Sequence, residues 1–203
     1  MEIRKLVLST LGVVALVGLS GCAHYRARPL RPLRAAQGTQ EQTISLDYEV
    51  FNAYDCKRYL DRNTLAQGYQ PIQITFVNNT DHHFIVSPQG FSFGCASSRE
   101  VANTVHTNTV GRAVGYGVAG LFIWPFIIPA IVDGLGSSRA NEELDADFAH
   151  KTLRGQTVKP YGTANGIVFV GCDEFDGDFD MTVTDSANNE NYVLGSATPM
   201  VKI

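Results

Sequence analysis

Gly90-Phe91-Ser92-Phe93-Gly94 has the G-x-S-x-G spacing of a nucleophile elbow, with Asp147 and His150 downstream in the order a Ser–Asp–His hydrolase uses. That chemistry needs a strand, a sharp turn at the serine and a helix starting at once, on a parallel sheet. Here Ser92 alternates with two phenylalanines and no strand–helix alternation surrounds it, so a serine hydrolase through Ser92 ranks last among the readings. The run Asp173-Glu174-Phe175-Asp176-Gly177-Asp178-Phe179-Asp180 offers carboxylates for a hard cation. It lacks the register and closing glutamate of an EF-hand loop, and an acidic hairpin turn describes it better. His82 and His83 are adjacent, so on a strand they point to opposite faces and share no metal. His24, His106 and His150 stand without ligand spacing, so no metal and no cofactor is expected. No glycine loop suited to phosphate follows a strand.

Cys22 carries the sharper chemical signal. "MEIRK" is a short basic segment and "LVLSTLGVVALVG" an apolar one, together a secretory signal, and Leu19-Ser20-Gly21-Cys22 closes it. An aliphatic residue, two small residues and a cysteine resemble the lipobox of bacterial lipoproteins. The resemblance covers residues 1–22 only. It implies cleavage before Cys22, a diacylglyceryl thioether on its sulfur and acylation of the new amine. Several chains on one residue exceed the two signals that stable anchoring needs. Ala23 follows, where lipoproteins kept at the inner membrane usually carry Asp, so the resemblance implies the outer membrane, facing the periplasm. Three further cysteines, Cys56, Cys95 and Cys172, leave an odd count in which any one pairing, or none, is open.

Removal of residues 1–21 leaves 182 residues, enough for one domain with a core. Residues 22–42 hold the lipidated cysteine and a Pro-containing stretch with four arginines against Glu41, a local +3 that reads as an extended basic tether. Residues 43–203 carry 10 basic and 18 acidic side chains, a net −8. That split draws the tether to anionic headgroups and argues against nucleic acid as a partner of the body.

In the body, "TISLDYEVF" alternates with period two, and "PIQITFVNNTDHHFIVS" reads as a hairpin about the Asn78–Asp81 turn, with Val77 and Phe84 both facing inward. "QTVKPYG", "GIVFVGC", "FDMTVTD" and "NYVLGS" add strands between turn-prone segments. About seven strands favour a mainly β fold, an immunoglobulin-like antiparallel β-sandwich over residues 43–203. An αα-hairpin interrupts it at about residues 97–155. Ser97 and Glu100 fit a capping box, and one helix is expected from there to Phe122. Gly111, Gly115 and Ala119 form a small-residue ridge for close helix packing. Pro125 and Pro129 interrupt it, and a second helix carries Leu144 and Phe148 on one face and stops at Gly155.

The tip between these helices is apolar at nearly every position: Leu121, Phe122, Ile123, Trp124, Phe126, Ile127, Ile128. Glycines and prolines weaken a membrane span over residues 113–132, and a hairpin tip has little beneath it to cover its faces. A patch of this kind marks a contact with a membrane or a protein partner, a reading that ranks ahead of burial in the core, with a membrane span last. The expected function is a non-enzymatic, structural or adaptor lipoprotein. A small-ligand or cation-binding module at residues 173–180 is the alternative.

Overall fold

The computed structural model describes residues 24–33, 43–106, 127–195 and 201–202, with the backbone alone in 127–137 and 201–202. The chain divides into two units, Met1–Tyr25 with His106–Leu144, and Arg26–Val105 with Asp145–Ile203. Strands run through the second unit: β1 (Ile44–Val50), β2 (Tyr69–Asn78), β3 (Phe84–Val86), β4 (Gln156–Val158), β5 (Thr163–Gly171), β6 (Asp180–Asp185), β7 (Asn191–Gly195) and β8 (Val201–Lys202). They form two antiparallel sheets, one ordered β1-β2-β5 and the other β4-β3-β6-β7-β8. The chain is mainly β, and the two sheets are compatible with a β-sandwich.

Period-two patterning explains the core. Ile72, Ile74 and Phe76 of β2 share a face with Ala164, Val168 and Val170 of β5. They meet Phe84, Val86, Met181, Val183 and Leu194 of the other sheet in one buried cluster. Phe84 packs edge-on against Phe76 and Tyr192, with ring centroids at 6.0 and 5.7 Å.

Two expectations about this region are corrected. β2 and β3 are not a hairpin: β2 pairs with β1 and β5, whereas β3 pairs with β4 and β6. The Asn78–Asp81 corner carries the chain from one sheet to the other. Its anchor is the buried Asn78, whose Nδ2 donates to the carbonyls of His82 and Lys159 at 2.8 and 2.9 Å. With Phe76 inside, Val77 points to the opposite face and is only half-buried. Phe84 does face inward, at 3% exposure.

Among the described residues, the segment between β3 and β4 holds two α-helices. α2 (Ser98–Thr104) starts at Ser97, whose Oγ accepts from Glu100 N–H at 3.2 Å, but Glu100 itself accepts from Tyr69 Oη at 2.8 Å. It ends at Thr104 instead of running on to residue 122. Thr104 Oγ1 turns back onto the Val101 carbonyl, and Val105 N–H closes a tighter turn on Ala102. α3 (Ile127–Lys151) starts earlier than expected. Pro129 lies in its first turn, where a missing N–H costs no helical bond. It stops before Gly155 because the chain is captured by β5: Leu153 N–H donates to the Ile167 carbonyl at 2.9 Å. Gly166 permits that approach, since a Cβ there would sit 2.7 Å from Leu153 N and Cα. Ala140, Leu144 and Phe148 are buried at successive four-residue steps.

Upstream lies α1 (Ala53–Asp55), a single turn capped by Asn52 Oδ1, which accepts from the N–H groups of Tyr54 and Asp55. It continues as one π-helical turn, Cys56–Leu60, and ends at Asp61 with φ of 53°. Lys151 of α3 is buried and clamps this turn: Nζ donates to the Tyr59 carbonyl at 2.6 Å and to Asp147 Oδ2 at 2.5 Å.

Candidate functional site

The residues proposed for chemistry do not assemble. Ser92 lies in no elbow, because a 3₁₀ turn (Pro88–Gly90) precedes it and α2 begins only at Ser98. Its Oγ accepts from Asp180 N–H at 3.1 Å, while Asp147 is engaged by Lys151. Ser92 borders a shallow groove of about 630 Å³ on the outer face of the second sheet, beside Ile85, Gln89, Thr182 and Thr184. Gly90 is required there, since a Cβ would lie 2.3 Å from the Thr182 carbonyl oxygen.

Asp173, Asp176 and Asp178 are exposed in the β5–β6 connection, where Gly177 adopts φ of 103°. Among the described residues no three His, Cys, Asp or Glu side chains gather closely enough to hold a metal. Cys56, Cys95 and Cys172 are free thiols. Cys56 is buried against Thr64 Oγ1 at 3.6 Å, and burial raises its pKa. Burial also pushes Cys95 up to about 11, so neither is a nucleophile at neutral pH.

Cys22, the ridge Gly111, Gly115 and Ala119, and the tip residues Leu121, Phe122, Ile123, Trp124 and Phe126 lie outside the described residues. Ile127 and Ile128 open α3.

Two clusters stand out that the sequence reading did not single out. The first lies at the end of the π turn. Asp61 receives Lys57 Nζ at 2.7 Å, Arg62 Nη1 at 2.8 Å and the backbone N–H of Arg26 at 3.2 Å. Burial alone would raise its pKa, but the Lys57 hydrogen bond, the Arg26 N–H and both cations together hold it below the usual carboxylate value.

Arg26 begins a strap. Residues 26–33 form no helix or strand, and Arg28 N–H donates to the Arg58 carbonyl at 2.9 Å. Gln73 Nε2 donates to the Arg31 carbonyl at 2.6 Å, and Leu33 N–H donates to Thr75 Oγ1 at 2.9 Å. Gln73 and Thr75 stand on the outer face of β2, buried at 2% and 0% exposure, and both donate to Asn165 Oδ1. Asp47, paired with Thr75 in register, keeps a buried Oδ2 with no hydrogen-bond partner, and burial raises its pKa.

The second cluster joins the corner after β2 to the end of β6. His82 Nδ1 lies 2.5 Å from Oδ2 of the fully buried Asp185, whose Oδ1 accepts from Ala187 N–H. The hydrogen bond and charge of Asp185 raise the His82 pKa.

Compared with known protein families and with characterised proteins, the chain matches no family model and no relative.

Proposed function

We propose that this chain is a non-enzymatic lipoprotein, anchored in the outer membrane through lipid on Cys22 and facing the periplasm. It serves as a structural or adaptor protein that presents an apolar helical hairpin to a membrane or protein partner. The observation that carries the reading is Leu19-Ser20-Gly21-Cys22 at the end of a basic-then-apolar leader. The partition β1-β2-β5 against β4-β3-β6-β7 supports an immunoglobulin-like sandwich, because the chain changes sheet between β2 and β3 and again on either side of β5. The position of α2 and α3 between β3 and β4 supports reading residues 97–155 as an insertion whose apolar end is the contact surface.

Cys22→Ser tests the anchor. The variant should take up no labelled palmitate and should leave the membrane fraction, since the serine cannot form the thioether. Retention of label and of membrane association together would refute the proposal.

A further inference from the structure

We propose that the turn carrying Lys57 and Arg58, together with the start of the strap, is a bilayer-facing surface that binds anionic headgroups. The choice of a bilayer as occupant rests on the lipid-anchor reading of Cys22, whereas the surface itself is built from described residues. Arg28 N–H is bonded to the Arg58 carbonyl, Arg26 N–H to Asp61, and the Arg58 guanidinium lies 5.2 Å over the Tyr59 ring and 6.0 Å over that of Tyr54. Arg26, Arg28, Lys57, Arg58 and Arg62 therefore share one small region. Its acids are Asp55, which accepts from Asn52 N–H, and Asp61, already paired with Lys57 and Arg62. Lys151 and Asp147, paired with each other against the Tyr59 carbonyl, cancel, so five further cations against two further carboxylates leave a local excess of three, on a chain whose residues 43–203 sum to −8.

The covalent geometry says which surface this patch meets. Arg26 N–H is bonded to Asp61 of the β-rich unit, and Arg26 lies four positions after Cys22. A chain spans at most about 3.3–3.6 Å per residue, so a lipid on Cys22 holds Arg26 within about 15 Å of its bilayer. The strap thus removes most of the reach that a free tether of residues 23–42 would have. At that range the patch sits close to one Debye length, about 10 Å, from the headgroups, and their potential favours it. Arg26 and Arg28 are exposed, the Lys57 side chain is 67% exposed and Tyr54 is 68% exposed. An open tyrosine among cations suits the headgroup layer.

The mature chain carrying Cys22→Ser, and so without lipid, is mixed with vesicles of phosphatidylcholine alone or with added phosphatidylglycerol, and binding is read by flotation. Binding is expected only with phosphatidylglycerol and is expected to fall as salt rises. Arg28→Gln with Lys57→Gln should weaken it about thirtyfold, from two lost headgroup contacts. Arg28→Lys with Lys57→Arg should keep it, which shows that a weak double-glutamine variant has lost charge and not fold. Arg99→Gln with Lys159→Gln, an equal change of net charge elsewhere on the β-rich unit, should leave it unchanged. Equal binding to both vesicle types, or equal weakening by the two double-glutamine variants, would overturn the proposal. The lipid is absent from every arm, so these outcomes are separate from those of palmitate labelling.

Discussion

A carboxylate with no exposure and a histidine beside it make a pH-dependent joint. Asp185, at the end of β6, is fully buried, and His82 Nδ1, just past the sheet-to-sheet corner, meets it at 2.5 Å. Asp185 raises the His82 pKa above its ordinary 6.5, so protonated His82 binds more strongly in the folded state than in the unfolded one. The linkage sign follows. The stabilisation is fully present below pH 6.5 and is lost as pH rises through the raised, folded-state value. His82→Gln removes the titrating group. The gap in Tm between wild type and His82→Gln should be widest in mildly acidic buffer and narrow as pH increases. A gap that is constant, or that widens toward alkaline pH, would show that the ion pair does not act in stability. Cys95 gives the contrasting case at this scale. Its thiol donates to the Pro88 carbonyl at 3.4 Å, and partial burial pushes its pKa up to about 11, so little thiolate forms at neutral pH.

Strands were more legible than their pairing. β4, β5, β6 and β7 fall where alternation and turn residues place them, and the β6–β7 hairpin follows its Asn-rich connection. Alternation fixes which face a side chain takes but not which strand lies beside it, so the Asn78–Asp81 corner reads as a hairpin until β5 is seen along β2. The strap was hidden for a related reason. Gln73 and Thr75 look like the wet face of a half-buried strand, and "RARPLRPLR" looks like a linker. Their burial follows from a layer that local periodicity does not report. The one signal was the polar row itself, Thr75 opposite Asn165 with Gln73 two residues away, continued on β1 by Asp47 and Glu49. Thr75→Val removes the acceptor for Leu33 N–H and a donor to Asn165, and should cost about 1–3 kcal/mol, the range for orphaning a buried polar group. It should also expose the Arg26–Ala27 bond to trypsin. Protection equal to wild type would mean that the strap is held by Asp61 and Gln73 alone. On the inner face of the same corner, Phe84→Ala should cost about 3–5 kcal/mol by chemical denaturation, since Phe84 packs on both Phe76 and Tyr192. A loss below about 1 kcal/mol would contradict the shared core.

At the scale of the whole molecule, the two units pose different physical problems. The β-rich unit covers its apolar face with a second sheet, and it folds around residues it supplies itself. The other unit includes His106–Leu144, where the apolar run from residue 113 to 132 has no charged side chain. Among the described residues no helix is long and apolar enough to cross a membrane. Leu121 to Val132 are bulky at nearly every position, and an amphipathic helix hides only one stripe. Such a run is covered either by its own chain or by something else, and Trp124, the one tryptophan, reports which. The mature Cys22→Ser protein is measured in detergent-free buffer, then again with lipid vesicles or with a protein that co-purifies with wild type but not with a variant lacking residues 111–136. A contact tip gives red emission, open to aqueous quenchers, that shifts to the blue on one of these additions. Blue, quencher-protected emission that neither addition changes would identify the run as core and end the adaptor proposal at this site. Trp124 is the one tryptophan of the chain, so the emission reports the surroundings of this run and of no other segment.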